Sequence, residues 1–287
     1  TGRVPNPMAG LIPANPTLNA PTIPRQNLMV AFPQYSSVSL NNVPIGKMRY
    51  HGFQSKVTKR FSHGLSFLAS YGIMKNLEQV SLLNPQDFVL ARPEDTKLEK
   101  RSAGRVDIPQ KFAIVGIYEL PFGRNRRFGA NWPRGLDHVL GGWRLNWDIT
   151  YQSGWVVNYP NAKQVRPGSA KLKNPTPNRW FDTSLWDDPV TGRRVPPQEP
   201  YTLRDFPTLF SDVRVPGYKN WDASLTKIFA LRERMNLEFR FEMINAFNHP
   251  WFANIASVNV TDPRFGQLDP TQRNLPRNIK LVLMLKW

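Results

Sequence analysis

Three charged side chains recur at two-residue spacing near the carboxyl end of the chain: Glu238, Arg240 and Glu242. On a β-strand this spacing places all three on one face. A charged row on the inner wall of a pore would line a path for a polar substrate. The simpler interpretation is that the row pairs across strands with Asp222, Lys280 or Lys286, or contacts another domain. We favour this simpler interpretation, because strand register cannot be determined from sequence.

The side chains that carry most enzyme and metal chemistry are scarce. The absence of cysteine excludes disulfides, thiolate metal sites and cysteine nucleophiles. The histidines, which are His51, His63, His138 and His249, lack metal-ligand spacing, and no glycine-rich phosphate loop or nucleophile elbow occurs. We expect His63 and His249 to serve turns. We assign no catalytic, cofactor-binding or metal-binding residue, leave ligand-binding residues unknown, and expect no cofactor and no enzymatic activity.

Basic residues outnumber acidic ones, and the formal net charge is +17. The basic clusters are Lys97, Lys100, Arg101 and Arg105, followed by Lys163, Arg166, Lys171 and Lys173. Such clusters can contact nucleic-acid phosphates. They are also typical of solvated loops that face phosphate-rich lipopolysaccharide, and the strand pattern described next favours that interpretation. We therefore expect no nucleic-acid partner.

The elements that would hold these residues are strands with one apolar face. In the terminal segment 277–287 the apolar face consists of Ile279, Leu281, Leu283, Leu285 and Trp287, and the opposite face carries Asn278, Lys280 and Lys286. The same alternation recurs at 235–247, 143–157, 220–229, 112–120, 65–75 and 51–61. Charges on the second face would be costly in a dry core but are stable in a watery lumen, so the apolar face is predicted to meet lipid.

Connection lengths orient these strands, because bacterial barrels have short periplasmic turns and long extracellular loops. Tight turns are predicted at 60–64 and 231–234. The long excursions lie at 77–109, 159–218 and 249–276. The 122–142 connection is irregular, since it is long for a periplasmic turn. The sequence contains no run of about 18 apolar residues, so it predicts no transmembrane helix. Barrel strands cross a membrane with about 9 to 11 residues each and need no such run.

The pattern predicts an all-β protein of about seven or eight antiparallel transmembrane strands. Residues 1–27 are proline-rich and are predicted to form an irregular loop, and residues 28–287 are predicted to form the barrel portion. A further strand at 28–39 is restricted by Pro33 to an edge or a strand end. A small closed barrel would crowd several charges into a lumen filled by side chains. We therefore expect an open arc of a larger barrel, with unpaired edges at 28–60 and at the terminal strand.

Several stretches resemble the C-terminal barrel of TonB-dependent transporters, in particular the Oar-like type, whose full-length members begin with a carboxypeptidase-regulatory-like domain. These stretches are YHGFQSKVTKRFSHGLS at 50–66, YELPFG at 118–123, GGW at 141–143, PGYKNWD at 216–222, FEMINAFNHP at 241–250, FGQ at 265–267 and the terminal strand. The resemblance covers most of residues 28–287. It implies that the chain is the C-terminal arc of a 22-stranded barrel in the outer membrane of a Gram-negative type bacterium.

The resemblance also implies partners and a function. The partners are outer-membrane lipid and lipopolysaccharide, a plug domain and the TonB system through an N-terminal part absent from this sequence, and the barrel assembly machinery through the strand that ends at Trp287. The function is that of a receptor and transporter, in which this segment forms the lipid-embedded wall and extracellular loops. The alternative is a soluble β-sandwich that binds carbohydrate or another ligand, and the apolar terminal strand argues against it.

Overall fold

Long antiparallel strands dominate the computed structural model, which describes residues 2–35, 48–78, 107–199 and 204–287. In chain order the strands are β1 (Arg3–Pro5), β2 (Thr22–Pro24), β3 (Met48–Ser62), β4 (Leu65–Glu78), β5 (Gln110–Glu119), β6 (Trp143–Gln152), β7 (Val156–Asn158), β8 (Lys171–Thr176), β9 (Arg179–Phe181), β10 (Leu209–Arg214), β11 (Tyr218–Arg232), β12 (Met235–Ile244) and β13 (Asn278–Lys286). The helices are α1 (Pro16–Asn19) and α2 (Arg134–Leu140), with 3-10 helices at Arg25–Leu28 and Thr183–Trp186.

One seven-stranded sheet has the order β13-β12-β11-β6-β5-β4-β3, and all its pairings are antiparallel. The seven predicted strands are thereby confirmed. Within the described residues the sheet is open, and its edges are β3 and β13. The additional strand predicted at 28–39 is not present over 28–35, where the chain forms turns and the end of a 3-10 helix, and 36–39 lie outside the described residues.

Tight turns join the strands at one end of the sheet, which we call the lower end, and the long connections lie at the upper end. His63 and Gly64 join β3 to β4 with φ values of 52° and 78°. Positive φ at both central residues is required by the type I′ turn that matches strand twist. Glu233 and Arg234 join β11 to β12. Both predicted tight turns and the turn role of His63 are confirmed.

Directly paired residues lie on the same face of a sheet, so the register defines two faces. The outer face contains the row Leu65, Tyr118, Leu145, Leu225, Phe241 and Leu281, and the inner face contains the row Ser66, Ile117, Asn146, Ser224, Glu242 and Lys280. Leu281 and Leu283 on the outer face are 68% and 66% exposed. A sandwich would need a second sheet over this face, whereas the other sheets in the described residues have only two strands each.

The strand predicted at 143–157 ends earlier, because the chain turns away at Gly154. A Cβ on this glycine would lie 1.7 Å from the carbonyl oxygen of Val215, so no larger residue fits. Beyond it the chain forms β7, which pairs with β10 outside the large sheet. Trp155 and Val157, which were predicted to face lipid, pack into a separate core instead. Phe247 likewise lies beyond the end of β12, in a turn.

The connections predicted as long excursions at 159–218 and 249–276 fold together. Phe181 and Trp186 are fully buried at their centre. Phe210 packs against the ring of Phe181 from one side, and Phe265 of the second connection packs from another, with ring centroids 5.2 and 5.4 Å away. We call the described parts of 155–217 and 249–276 the loop domain. It contains the main buried apolar cluster of the described chain.

The N-terminal segment is more ordered than the irregular loop predicted for 1–27. β1 pairs with β2, and Leu18 and Ile23 are buried. Asn15 caps α1 by accepting hydrogen bonds from the backbone N–H groups of Thr17 and Leu18. Pro16 stands at the first helical position, where its missing N–H has no helical partner to lose, so cap and proline both favour this turn of helix.

The irregular connection at 122–142 contains α2. The Gly141 N–H closes the helix by donating to the Asp137 carbonyl oxygen at 2.9 Å. The Asp137 carboxylate also accepts a hydrogen bond from the Arg124 N–H at 2.7 Å, which ties the preceding loop to the helix. A connection predicted to be a long turn is therefore a structured element at the lower end of the sheet.

Candidate functional site

A groove of about 640 Å³ lies on the inner face of the large sheet. Six strands line it, through residues that include Thr58, Ser66, Val115, Asn146, Ser224 and Glu242. A groove lined by six strands of one sheet fits the inner wall of a barrel.

Two carboxylates stand directly opposite each other in this groove. Asp148 of β6 pairs in register with Asp222 of β11, and both line the groove. Asp222 accepts a hydrogen bond from the Asn245 N–H at 2.8 Å, whereas the Asp148 side chain is exposed. Like charges in opposed positions are destabilising unless water screens them. The arrangement therefore fits a hydrated surface and not a dry core.

The charged row of β12 lies on the inner face and forms one ion-paired network. Arg240 contacts Glu238 at 2.7 Å and Glu242 at 3.1 Å. The Lys286 ammonium on β13 contacts Glu238 at 2.5 Å. Pairing across strands with Lys286 is thus confirmed, while Asp222 binds a backbone N–H instead. Together with Lys286 the row is neutral, and the network joins β12 to β13.

The histidines are dispersed. His51 lies on β3, His63 in a turn, His138 on α2 and His249 after β12, and all are exposed. The His249 backbone N–H donates to the Asn245 side chain at 2.8 Å, which confirms its predicted turn role. In the ranges that the structure describes, no group of three histidine, aspartate or glutamate side chains could hold a metal ion.

The two basic clusters have different outcomes. Lys97, Lys100, Arg101 and Arg105 lie outside the described residues. In the second cluster, Lys163 forms an ion pair with Asp205, and the Arg166 guanidinium donates to the Asp187 carbonyl oxygen at 2.9 Å. Lys171 and Lys173 are exposed on β8. Half of this second cluster therefore stabilises the loop domain itself.

A buried ion pair joins the loop domain to the upper end of the sheet. Arg214 of β10 binds Asp107, whose side chain is 1% exposed. Asp107 also accepts a hydrogen bond from the Asn76 N–H of β4 at 2.9 Å, and Arg214 donates to the Gly154 carbonyl oxygen at 3.1 Å. Sequence analysis missed this network, because its members are up to 138 positions apart and carry no local signal.

A second groove, of about 410 Å³, opens in the loop domain between β7 and residues 254–258.

Carboxylates in loop-domain turns are held in their ionised form. Burial raises the pKa of Asp182, but hydrogen bonds from Ser184 and the Arg179 guanidinium outweigh it, so the net pKa is lowered. Hydrogen bonds from the backbone N–H groups of Thr191 and Val190 lower the pKa of Asp188. Both side chains accept backbone hydrogen bonds within local turns, which indicates a structural role.

One lysine breaks the apolar pattern of the outer face. Lys227 pairs in register with Trp143 and Phe239, yet it is only 4% exposed. Its ammonium donates to the carbonyl oxygens of Val139, at 3.2 Å, and Gly141. In the sequence, Lys227 is the one charged residue at an apolar-face position of the 220–229 strand, and the alternation alone assigns it no role.

Comparison with known proteins places these features in a family. No helix among the described residues is both long and apolar enough to cross a bilayer. Residues 4–280 match the family described as Outer membrane beta barrel domain. No curated protein and no solved structure matches the chain significantly. The family match spans nearly the whole chain and confirms the predicted all-β barrel class and outer-membrane localisation. This protein belongs to the outer membrane beta barrel domain family.

Proposed function

We propose that this chain forms part of the wall of a TonB-dependent outer-membrane receptor of the Oar-like type. The observation that carries the proposal is a charged, groove-forming inner face on an open seven-stranded sheet. The lumen of an eight-stranded barrel is filled by side chains. The opposed Asp148 and Asp222 and the network around Arg240 instead favour a wide, hydrated lumen.

The edges of the sheet support a larger assembly. β3 and β13 each present one unpaired side in the described structure, and such edges need a partner in a membrane. In the proposed receptor they pair with further strands of a 22-stranded barrel that surrounds a plug domain and is energised by TonB. The β13 strand and Trp287 would also serve recognition by the barrel assembly machinery.

The outer face and the loop domain would meet different surroundings. Outer-membrane lipid would cover the outer face, and the loop domain would lie at the extracellular mouth among lipopolysaccharide phosphates, where exposed Lys171 and Lys173 suit that environment. The role is transport without catalysis and without nucleic-acid binding. The substrate class stays unassigned, because the charges around Arg240 are already paired with each other.

The gene provides the sharpest test. We expect the reading frame that precedes Thr1 to encode a plug domain, a TonB box and a carboxypeptidase-regulatory-like domain. A start codon and a signal peptide immediately before Thr1 would contradict the receptor assignment. That outcome would favour a small self-contained barrel.

A second test separates the two faces in the native protein. Residues 1–287 contain no cysteine, so a single introduced cysteine is the one thiol in this part of the protein, and the unsubstituted protein measures any labelling elsewhere. Asn146→Cys on the inner face should react with a charged, membrane-impermeant thiol reagent, whereas the adjacent Leu145→Cys should be protected by lipid. Equal labelling of both positions would contradict a lipid-facing outer surface.

A further inference from the structure

The helix α2 lies against the outer face of the sheet and not beneath the lumen. Lys227 belongs to an outer-face row, and its ammonium reaches the carbonyl oxygens of Val139 and Gly141 at the C-terminal end of the helix. The Trp143 indole also donates to the Val139 carbonyl oxygen at 3.0 Å. The carboxyl end of α2 is therefore fixed on the side of the sheet that carries the apolar residues.

These contacts explain how a lysine can occupy an apolar surface. A cation near the C-terminus of a helix satisfies carbonyl groups that have no partner within the helix. The Lys227 ammonium also lies 5.0 Å from the ring centroid of Phe229 and 5.6 Å from that of Trp143, which adds cation–π attraction. Lys227 and α2 thus form a polar contact that is shielded from the surroundings of the outer face.

The far side of α2 is apolar. Leu136, Val139 and Leu140 follow the i, i+3, i+4 spacing of one helix face. They are 41%, 58% and 46% exposed. His138 lies on the opposite side of the helix, with its ring 5.4 Å from that of Phe229 on the sheet. The apolar face of α2 therefore points away from the sheet, towards the medium that covers the outer face.

Exposed arginines accompany this apolar face. Arg124, Arg127 and Arg134 are exposed in the same connection, whereas Arg126 is paired with Glu119 at 3.0 Å. Apolar side chains on one face of a short helix, with cations around it, are typical of segments that lie in the plane of a membrane interface. The adjacent lipid-facing sheet continues directly into this surface.

We propose that residues 121–142 form a membrane foot, in which α2 lies within the periplasmic interface of the outer membrane. Leu136, Val139 and Leu140 insert among acyl chains, and the exposed arginines bind phosphates of anionic phospholipids. The proposal rests on the proposed function, because the outer face of the sheet must meet lipid. The foot would fix the vertical position of the barrel in the bilayer.

The test measures the depth of single labelled cysteines in the full-length protein that contains this chain, reconstituted in lipid vesicles. An environment-sensitive fluorophore on Val139→Cys reports how deeply α2 lies in the membrane. Leu283→Cys reports the outer face of the sheet, and Ile117→Cys on the inner face is the negative control. Nitroxide groups at shallow or deep positions of the lipid chains serve as quenchers. The Val139 label should lie about 5 to 10 Å into the headgroup and acyl boundary, so shallow quenchers should act on it most strongly.

The outcomes distinguish the two proposals. Quenching at Leu283 without quenching at Val139 would overturn the membrane foot and leave the lipid-facing sheet intact. Absence of quenching at both positions would overturn the lipid-facing sheet as well. Strong quenching at Val139 by shallow nitroxides, with none at Ile117, supports the foot.

The phosphate contact is tested by comparing nitroxide-labelled phosphatidylglycerol with nitroxide-labelled phosphatidylcholine as quenchers of the Val139 label. We expect phosphatidylglycerol to be enriched near the label by roughly fivefold for each arginine that faces the membrane surface. Replacement of Arg127 and Arg134 by glutamine should lower this preference to the part that Arg124 supplies, without unfolding the barrel, because both replaced side chains are exposed. An unchanged lipid preference in the double variant would overturn the phosphate contact.

Discussion

The large sheet and the loop domain place the same kinds of residues in opposite positions. In the loop domain, Phe181 and Trp186 are fully buried, whereas on the sheet Leu281 and Leu283 are 68% and 66% exposed. Removal of these apolar side chains from water stabilises the loop domain by the hydrophobic effect. The outer face of the sheet leaves its apolar side chains exposed, and in the proposed receptor lipid covers them. On that proposal the two regions of one chain fold in different solvents.

Aromatic rings show the same difference. In the loop domain Trp186 packs edge-on against Phe210 and Phe265, with ring centroids 6.1 and 5.8 Å away. On the sheet the aromatic pairs lie near the two ends, such as Trp221 with Phe247 at the upper end, and Phe247 is 66% exposed. Exposed aromatics near strand ends are typical of membrane interfaces. Ring packing therefore forms a core in one region and a boundary in the other.

The largest effect is expected from a cavity in the loop domain. Trp186→Ala removes a fully buried ring and should lower the free energy of unfolding of the loop domain by about 3 to 5 kcal/mol. The measurement is protease resistance of the loop domain during thermal unfolding, with heat-modifiable gel migration as a readout of the barrel. Val190→Ala, at a side chain that is 91% exposed, is the control. We expect barrel migration to persist, because Trp186 packs within the loop domain, and its loss together with the loop domain would show that the sheet depends on this core.

A charge on the outer face should have the next largest effect. Leu225→Arg places a cation at the lipid-facing centre of β11 and should destabilise the folded barrel by about 2 to 4 kcal/mol. The adjacent Ser224→Arg points inward, opposite Glu242, and should cost little. Urea unfolding in lipid vesicles compares the two variants. Equal costs at both positions would indicate a dry core on each side of the sheet. Ser224 is a better inward-facing control than Met284 on β13, because the Met284 sulfur lies 3.9 Å from the Arg240 guanidinium and an arginine there would disturb that contact.

Loss of the ion pair between the two regions should have a smaller effect. Asp107→Ala leaves Arg214 without its buried carboxylate, and we expect a loss of about 2 kcal/mol, because the Arg214 side chain is 25% exposed and partly solvated. Hydrogen exchange at the Asn76 N–H, which donates to Asp107, should accelerate. Lys163→Gln removes an exposed pair and should change stability by less than about 1 kcal/mol. Unchanged exchange at Asn76 would show that the pair does not connect the regions.

The smallest effect concerns acid stability of the loop domain. The pKa of Asp182 is lower in the folded state than the ordinary value of 3.8. The carboxylate therefore contributes stability above pH 3.8, and this contribution is lost as the pH falls through the lower, folded-state pKa. Asp182→Ala removes the cap of a 3-10 helix and should cost about 1 kcal/mol at neutral pH. Acid titration of tryptophan fluorescence should be shallower in the variant, and an identical acid profile would contradict this role.

The partner of the charged row illustrates the limit of sequence analysis. Spacing placed Glu238, Arg240 and Glu242 on one face and left three pairing candidates. The register then brought Lys286 to Glu238, and it turned Asp222 towards a backbone N–H. A shift of one residue would have reversed every facing, and strand spacing alone contains no information about that shift.

Sequence alone determined the seven strands, their two faces and the tight lower turns, because a period of two residues is a local property of the chain. Only the tertiary structure decided that the upper connections share a core, since Trp186 and Phe265 are far apart in sequence and follow no common period. It also decided that Lys227 on the outer face binds the end of α2. Contacts between distant segments depend on three-dimensional packing, and no local pattern encodes them.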